Sequence, residues 1–140
     1  MSAINLLLVD DELDFRSTLQ KRLAKRDLNV EGVGSGQEAL EAMNRGSYDV
    51  IILDVKMQGM DGIQVLREIK KTYPLIEVIM LTGHAELEIA VQGMELGAFD
   101  YLMKPMDIDD LVYKIQDAHK KKSIQEQKIK QIKEIKDTKN

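Results

Sequence analysis

At 140 residues with no cysteine, the chain is sized for one domain, and disulfides and thiolate chemistry are excluded. The net charge of −4 is uneven: residues 119–140 carry eight lysines against Glu126, Glu134 and Asp137, or +5, which leaves −9 on residues 1–118. An acidic body argues against nucleic acid as the main partner, no apolar run approaches the ~20 residues that span a bilayer, and the composition suits a reducing cytoplasm.

Met1-Ser2-Ala3-Ile4-Asn5 sets no basic stretch ahead of its apolar run, so it does not read as a signal peptide. Ile4 to Val9 reads as a buried strand that stops at Asp10-Asp11-Glu12. Phe15, Leu19, Leu23 and Ala24 then recur at helical spacing, which predicts an amphipathic helix over 13–27. The short alternation from Asn29 to Gly34 suits an exposed or edge strand. Ser35 can cap a helix whose apolar face is Ala39, Leu40 and Met43 and which Gly46 ends. The unbroken apolar run into Asp54 predicts a central strand over 49–54 buried on both faces, as in a parallel sheet.

Ile63, Val65, Leu66 and Ile69 mark a helix from Gly62 to Thr72, stopped by Pro74. A fourth strand over 76–81 ends at Thr82-Gly83. Ile89, Ala90, Met94 and Leu96 give a helix closed by Gly97, and 99–103 forms a fifth strand ending at Lys104-Pro105. Asp107 can cap a last helix with Leu111, Val112, Ile115 and Ala118 on one face. Strands alternating with helices across short loops predict a doubly wound α/β fold with a five-stranded parallel sheet.

Four of the five strands end in a charged or reactive group: Asp10 with Asp11, Asp54, Thr82 and Lys104. Right-handed crossovers bring these ends to one edge. In the flavodoxin-like order 2-1-3-4-5, Asp10, Asp11 and Asp54 share a shallow pocket at the switch point, with Thr82 beside it and Lys104 beyond. Three close carboxylates call for a hard cation, and Mg²⁺ suits carboxylate and phosphate oxygens. Lys104 and the Thr82 hydroxyl are suited to phosphoryl oxygens, and a carboxylate can serve as phosphoryl acceptor. Taken singly, Lys104 reads as a surface charge, Thr82 as a turn residue and Asp10-Asp11 as a helix cap; their convergence supports the chemical reading.

From about Ala3 to His119 the chain resembles the receiver domain of a two-component response regulator. The motifs are Leu7-Leu8-Val9-Asp10-Asp11-Glu12, Leu53-Asp54-Val55-Lys56-Met57 with Met60-Asp61-Gly62, Leu81-Thr82-Gly83 and Tyr101-Leu102-Met103-Lys104-Pro105. The resemblance implies a signalling switch in which Asp54 takes a phosphoryl group from the phosphohistidine of a sensor kinase or phosphotransfer protein. It implies Mg²⁺ held by Asp11, Asp54 and the Lys56 backbone carbonyl, with Asp10 assisting through water. Thr82 would turn to the phosphoryl group and Tyr101 inward, changing the surface of the fourth helix, fifth strand and fifth helix. A cis Lys104–Pro105 bond, slow autodephosphorylation and a downstream protein target or output domain are also implied. Gln58 stands where the family often has proline, and Lys56 and His84 stand where it tunes phosphate lifetime.

Two rival readings are an aspartyl-phosphate-forming phosphatase and a phosphorylation-independent interaction domain of the same fold. Phosphatases of the haloacid-dehalogenase type need a second acid at the position of Lys56. The division expected is 3–119 for the receiver and 120–140 for a lysine-rich extension, either helical or a disordered linker. Ile124, Ile129, Ile132 and Ile135 fall within roughly 140° on a helix. Such a stretch suits a frayed tail, a helix that pairs with a copy in a homodimer, or a linker to an output domain. Neither a membrane nor direct nucleic-acid binding is expected.

Overall fold

The computed structural model describes residues 3–57 and 62–138. The loop expectations at Gln58, Met60 and Asp61 lie outside the described residues. The elements in chain order are β1 (Asn5–Val9), α1 (Leu13–Ala24), β2 (Asn29–Val33), α2 (Gly36–Arg45) and β3 (Val50–Asp54). They continue with α3 (Gly62–Thr72), β4 (Glu77–Thr82), α4 (Leu87–Glu95), β5 (Asp100–Met103) and α5 (Ile108–Thr138). A 3₁₀ turn, His84–Glu86, precedes α4. All strand pairs are parallel, in the order β2-β1-β3-β4-β5 expected from the sequence.

The apolar runs are continuous because helices cover both faces of the sheet. Alternate residues point to opposite sides. Leu7, Val9, Ile51, Leu53, Val78 and Met80 pack with α2, α3 and α4. Leu6, Leu8, Val50, Ile52, Ile79 and Leu81 pack with α1 and α5. β2 is an edge strand, in keeping with its short polar alternation.

Local chemistry explains the helix ends. Ser35 Oγ accepts the Glu38 amide at 3.1 Å while the Glu38 carboxylate accepts the Gly34 amide at 3.1 Å, a reciprocal cap. Asp107 Oδ1 accepts the Asp109 amide at 2.9 Å at the start of α5. Gly97, at φ +105°, closes α4, and the Ala98 amide reaches back to the Gly93 carbonyl at 3.0 Å.

Three expectations need correction. The first helix ends at Ala24, three residues early, because the chain turns through Asp27 at φ 63°; Asp tolerates this left-handed conformation. Ala24 is therefore exposed at the helix end rather than on its apolar face. Met94 is 38% exposed, so the buried face of α4 is carried by Ala90 and Gly93, where the helix closes on Met80.

α5 runs unbroken through the lysine-rich stretch to Thr138. Where it leaves the sheet, Lys121 lies 3.2 Å from Glu77 Oε2 and Lys122 lies 3.4 Å from Asp49 Oδ1. Glu77 is buried, and Lys70 pairs with its other oxygen at 3.4 Å. The Lys121 contact is ionic without hydrogen-bond geometry, and among the described residues Oε2 has no hydrogen-bond partner. Among the described residues no helix is long and apolar enough to cross a membrane.

Gly62 sets how closely α3 approaches the end of β3. A Cβ there would stand 2.8 Å from Val55 Cα and 3.2 Å from the Asp54 carbonyl oxygen, both backbone atoms with little room to yield. Gly62→Ala should destabilise the fold by about 1–3 kcal/mol, read as a lower urea midpoint with unchanged slope.

Candidate functional site

Sheet register builds the site. Val9 pairs with Leu53, so Asp10 and Asp54 follow immediately on neighbouring strands; Asp54 pairs with Leu81, and Thr82 with Met103 just before Lys104. Asp10 is fully buried, Asp54 nearly so, and Asp11 is exposed. One carboxylate oxygen from each of these three acids lies within 4.8 Å of the others.

Lys104 reaches further than its strand position suggests. Its side chain crosses the end of β4, placing Nζ 3.4 Å from Asp10 Oδ2 and 3.5 Å from Asp54 Oδ2. The ammonium also lies 4.2 Å from the centre of the Phe15 ring on α1. That contact adds a cation–π attraction and fixes the direction of the stem. Asp10 Oδ1 accepts the Glu12 amide at 2.9 Å, and the Arg16 guanidinium donates to the Asp10 carbonyl at 2.7 Å. Phe15 and Arg16 on α1, with Glu12 at its N-cap, thus hold the site. The helical spacing of Phe15 marks it as core and does not point to this second contact.

Burial pushes the Asp54 carboxyl up to about 6, against the lowering effect of the Lys56 amide, which donates to Oδ1 at 3.1 Å. Asp10 adds to the rise and Lys104 opposes it. Three carboxylates against the Lys104 ammonium leave the cluster with formal negative charge in excess. The site opens into a cleft of about 540 Å³ whose lining includes Asp11, Asp54, Lys56, Glu86 and Lys104.

Thr82 is buried at the end of β4, and its hydroxyl donates to the Gly83 carbonyl at 3.1 Å. Tyr101 on β5, paired with Met80 of β4, is 40% exposed. The Lys104–Pro105 peptide is cis. His84 is exposed on the 3₁₀ turn, and His119 is half-buried on α5. The Lys56 side chain meets Glu86 at 3.6 Å rather than His84. Glu86 was not singled out from the sequence, where it is one acid among several in a polar loop.

The response regulator receiver domain family profile matches residues 6–116. A receiver domain protein from Clostridium thermocellum is 37% identical with a TM-score of 0.82, covering 86% of this chain and 98% of that one. The receiver domain of NtrX from Brucella abortus is 33% identical with a TM-score of 0.79, covering 82% and 98%. The DNA-binding transcriptional regulator NtrC of Escherichia coli K12 is 41% identical over 110 residues, which is 79% of this chain and 24% of that protein. The chain thus spans about a quarter of the length of the curated relatives it matches. Strand order, the acidic cluster at the sheet's carboxyl edge and these similarities agree: the chain belongs to the response regulator receiver domain family, whose general function is a phosphorylation-dependent switch.

Proposed function

We propose that Asp54 is the phosphoryl acceptor of this chain and that Lys104 and Thr82 are the side chains that meet the transferred group. The observation that carries the reading is the position of Lys104 Nζ, 3.4 Å from Asp10 and 3.5 Å from Asp54, above an acceptor open to a cleft. The ammonium is placed to neutralise a phosphoryl oxygen as it arrives. In the unmodified chain it holds the two buried carboxylates together.

The family uses Mg²⁺, and the donor set here suits it: three carboxylates with oxygens within 4.8 Å and an excess of negative charge. Asp11, Asp54 and the Lys56 carbonyl would hold the ion, with Asp10 assisting through water. When bound, it supplies charge neutralisation of the phosphoryl oxygens. Asp54 provides the attacking oxygen, which must be ionised, and the Lys56 amide orients that carboxylate from behind.

Thr82 and Tyr101 stand in positions from which a switch can start, one hydroxyl tied to backbone and the other residue outward. Phosphorylation would draw the Thr82 hydroxyl to the phosphoryl group and let Tyr101 turn inward, altering the α4–β5–α5 surface. Receiver domains interact with histidine kinases and output domains. For this chain we propose a cytoplasmic location, with a sensor histidine kinase or phosphotransfer protein upstream and a protein target or output domain downstream. In this reading residues 3–119 form the receiver and 120–140 the extension. The chain's own chemistry is its phosphorylation and a slow autodephosphorylation.

Intact mass after incubation with acetyl phosphate should show one added phosphoryl group that requires Mg²⁺ and is absent in Asp54→Asn. An adduct that persists in Asp54→Asn would overturn the assignment. Stability should also report the buried acceptor. A carboxyl whose folded pKa, about 6, lies above its unfolded value favours the folded state only while protonated. That stabilisation is present at low pH and is lost as pH rises through about 6. In metal-free buffer at pH 8, Asp54→Asn should therefore be more stable than the parent by about 1–3 kcal/mol. The difference should vanish below the unfolded pKa of ~3.9, as measured by urea unfolding across pH.

A further inference from the structure

The cleft beside Asp54 has a second cation, and a carboxylate from another element holds it. Lys56 is tied at its backbone to the acceptor, since its amide donates to Asp54 Oδ1 at 3.1 Å. Its side-chain ammonium meets Glu86 Oε1 at 3.6 Å. Both residues line the cleft that holds Asp54, Asp11 and Lys104. The two partners differ in setting: the Lys56 side chain is 80% exposed, whereas that of Glu86 is 13% exposed. Glu86 is folded back over the backbone by the 3₁₀ turn, its amide donating to the Gly83 carbonyl at 3.1 Å. A Cβ at Gly83 would stand 2.8 Å from Glu86 Oε2, so the glycine leaves the space that the carboxylate occupies. The anion is fixed and the cation is free to move.

We infer that Lys56 is shared: Glu86 holds its ammonium in the unmodified chain and yields it to the phosphoryl group on Asp54, which makes Glu86 a positioning residue for the modified state. The inference rests on the assignment of Asp54 as acceptor. Charge gives the direction. Phosphorylation replaces a single negative charge at Asp54 with a phosphoryl group of nearly two. An ion pair at 3.6 Å whose cation stands in solvent is weak and is broken at small cost. Releasing Lys56 leaves Glu86 facing an added anion, so the turn that leads from Thr82 into α4 is pushed as the cation departs. Glu86 thereby opposes the modified state twice, by retaining Lys56 and by repulsion. Only the first of these effects depends on Lys56.

That difference supplies the test. Beryllofluoride with Mg²⁺ serves as the phosphoryl mimic, and its affinity is measured by amide NMR in the parent, Glu86→Gln, Lys56→Met and the double variant. Acyl-phosphate lifetime is measured on the same four proteins. Glu86→Gln should tighten mimic binding about three- to fivefold and lengthen the lifetime, and this gain should shrink clearly in the Lys56→Met background. Lys56→Arg should restore the dependence. Equal gains in both backgrounds, or no gain in either, with unchanged urea midpoints, would overturn the sharing while leaving Asp54 as acceptor. A parent chain that takes up no mimic would overturn both the acceptor assignment and the inference.

Discussion

One ammonium sits between two buried carboxylates, and much else at the sheet edge follows from it. Lys104 spans Asp10 and Asp54, and Asp10 has no exposure to solvent. A buried carboxylate deprived of its cation costs about 3–5 kcal/mol. Lys104 therefore belongs to the stability of the fold as well as to its chemistry. The Phe15 ring and the Arg16 guanidinium bring α1 into the same arrangement, one against the ammonium and the other on the Asp10 carbonyl. Burial first, and Asp10 after that, raise the Asp54 carboxyl to about 6, and three carboxylates face the one ammonium. A site in this condition favours any ligand that brings positive charge.

The sheet makes such a site without special loops. Parallel strands whose last apolar residues are in register deliver their next residues to one edge. Val9 with Leu53 and Asp54 with Leu81 are those registers here. The opposite edge carries a separate charge arrangement, in which Glu77 and Asp49 take Lys121 and Lys122 from α5. The long helix is thus fastened where it leaves the domain, and the direction of its last four turns is set by the sheet. Glu77–Lys121 and Asp100–Lys114 tie β4 and β5 to α5.

Much of this was legible in the sequence because burial on both faces leaves unbroken apolar runs that end abruptly in polar residues. The strands and the polar residues that end them came from that pattern, and the flavodoxin-like order then brought Asp10, Asp11, Asp54 and Lys104 together. Helix ends were legible where a side chain forms the cap, as at Ser35 and Asp107, and not where backbone conformation alone ends the helix, as at Asp27. Glu86, Phe15 and Arg16 were invisible as site residues because their roles arise from proximity across elements. A phenylalanine at helical spacing looks like core, and it is also core. An acid in a polar loop looks solvated, yet Glu86 is largely covered.

The most direct test of the account is to phosphorylate the chain, reduce the acyl phosphate with borohydride and map the resulting homoserine by peptide mass. The account predicts homoserine at position 54 alone, because Asp54 faces the open cleft while Asp10 is buried against Lys104. Homoserine at position 10 or 11 instead, with position 54 unmodified, would contradict it.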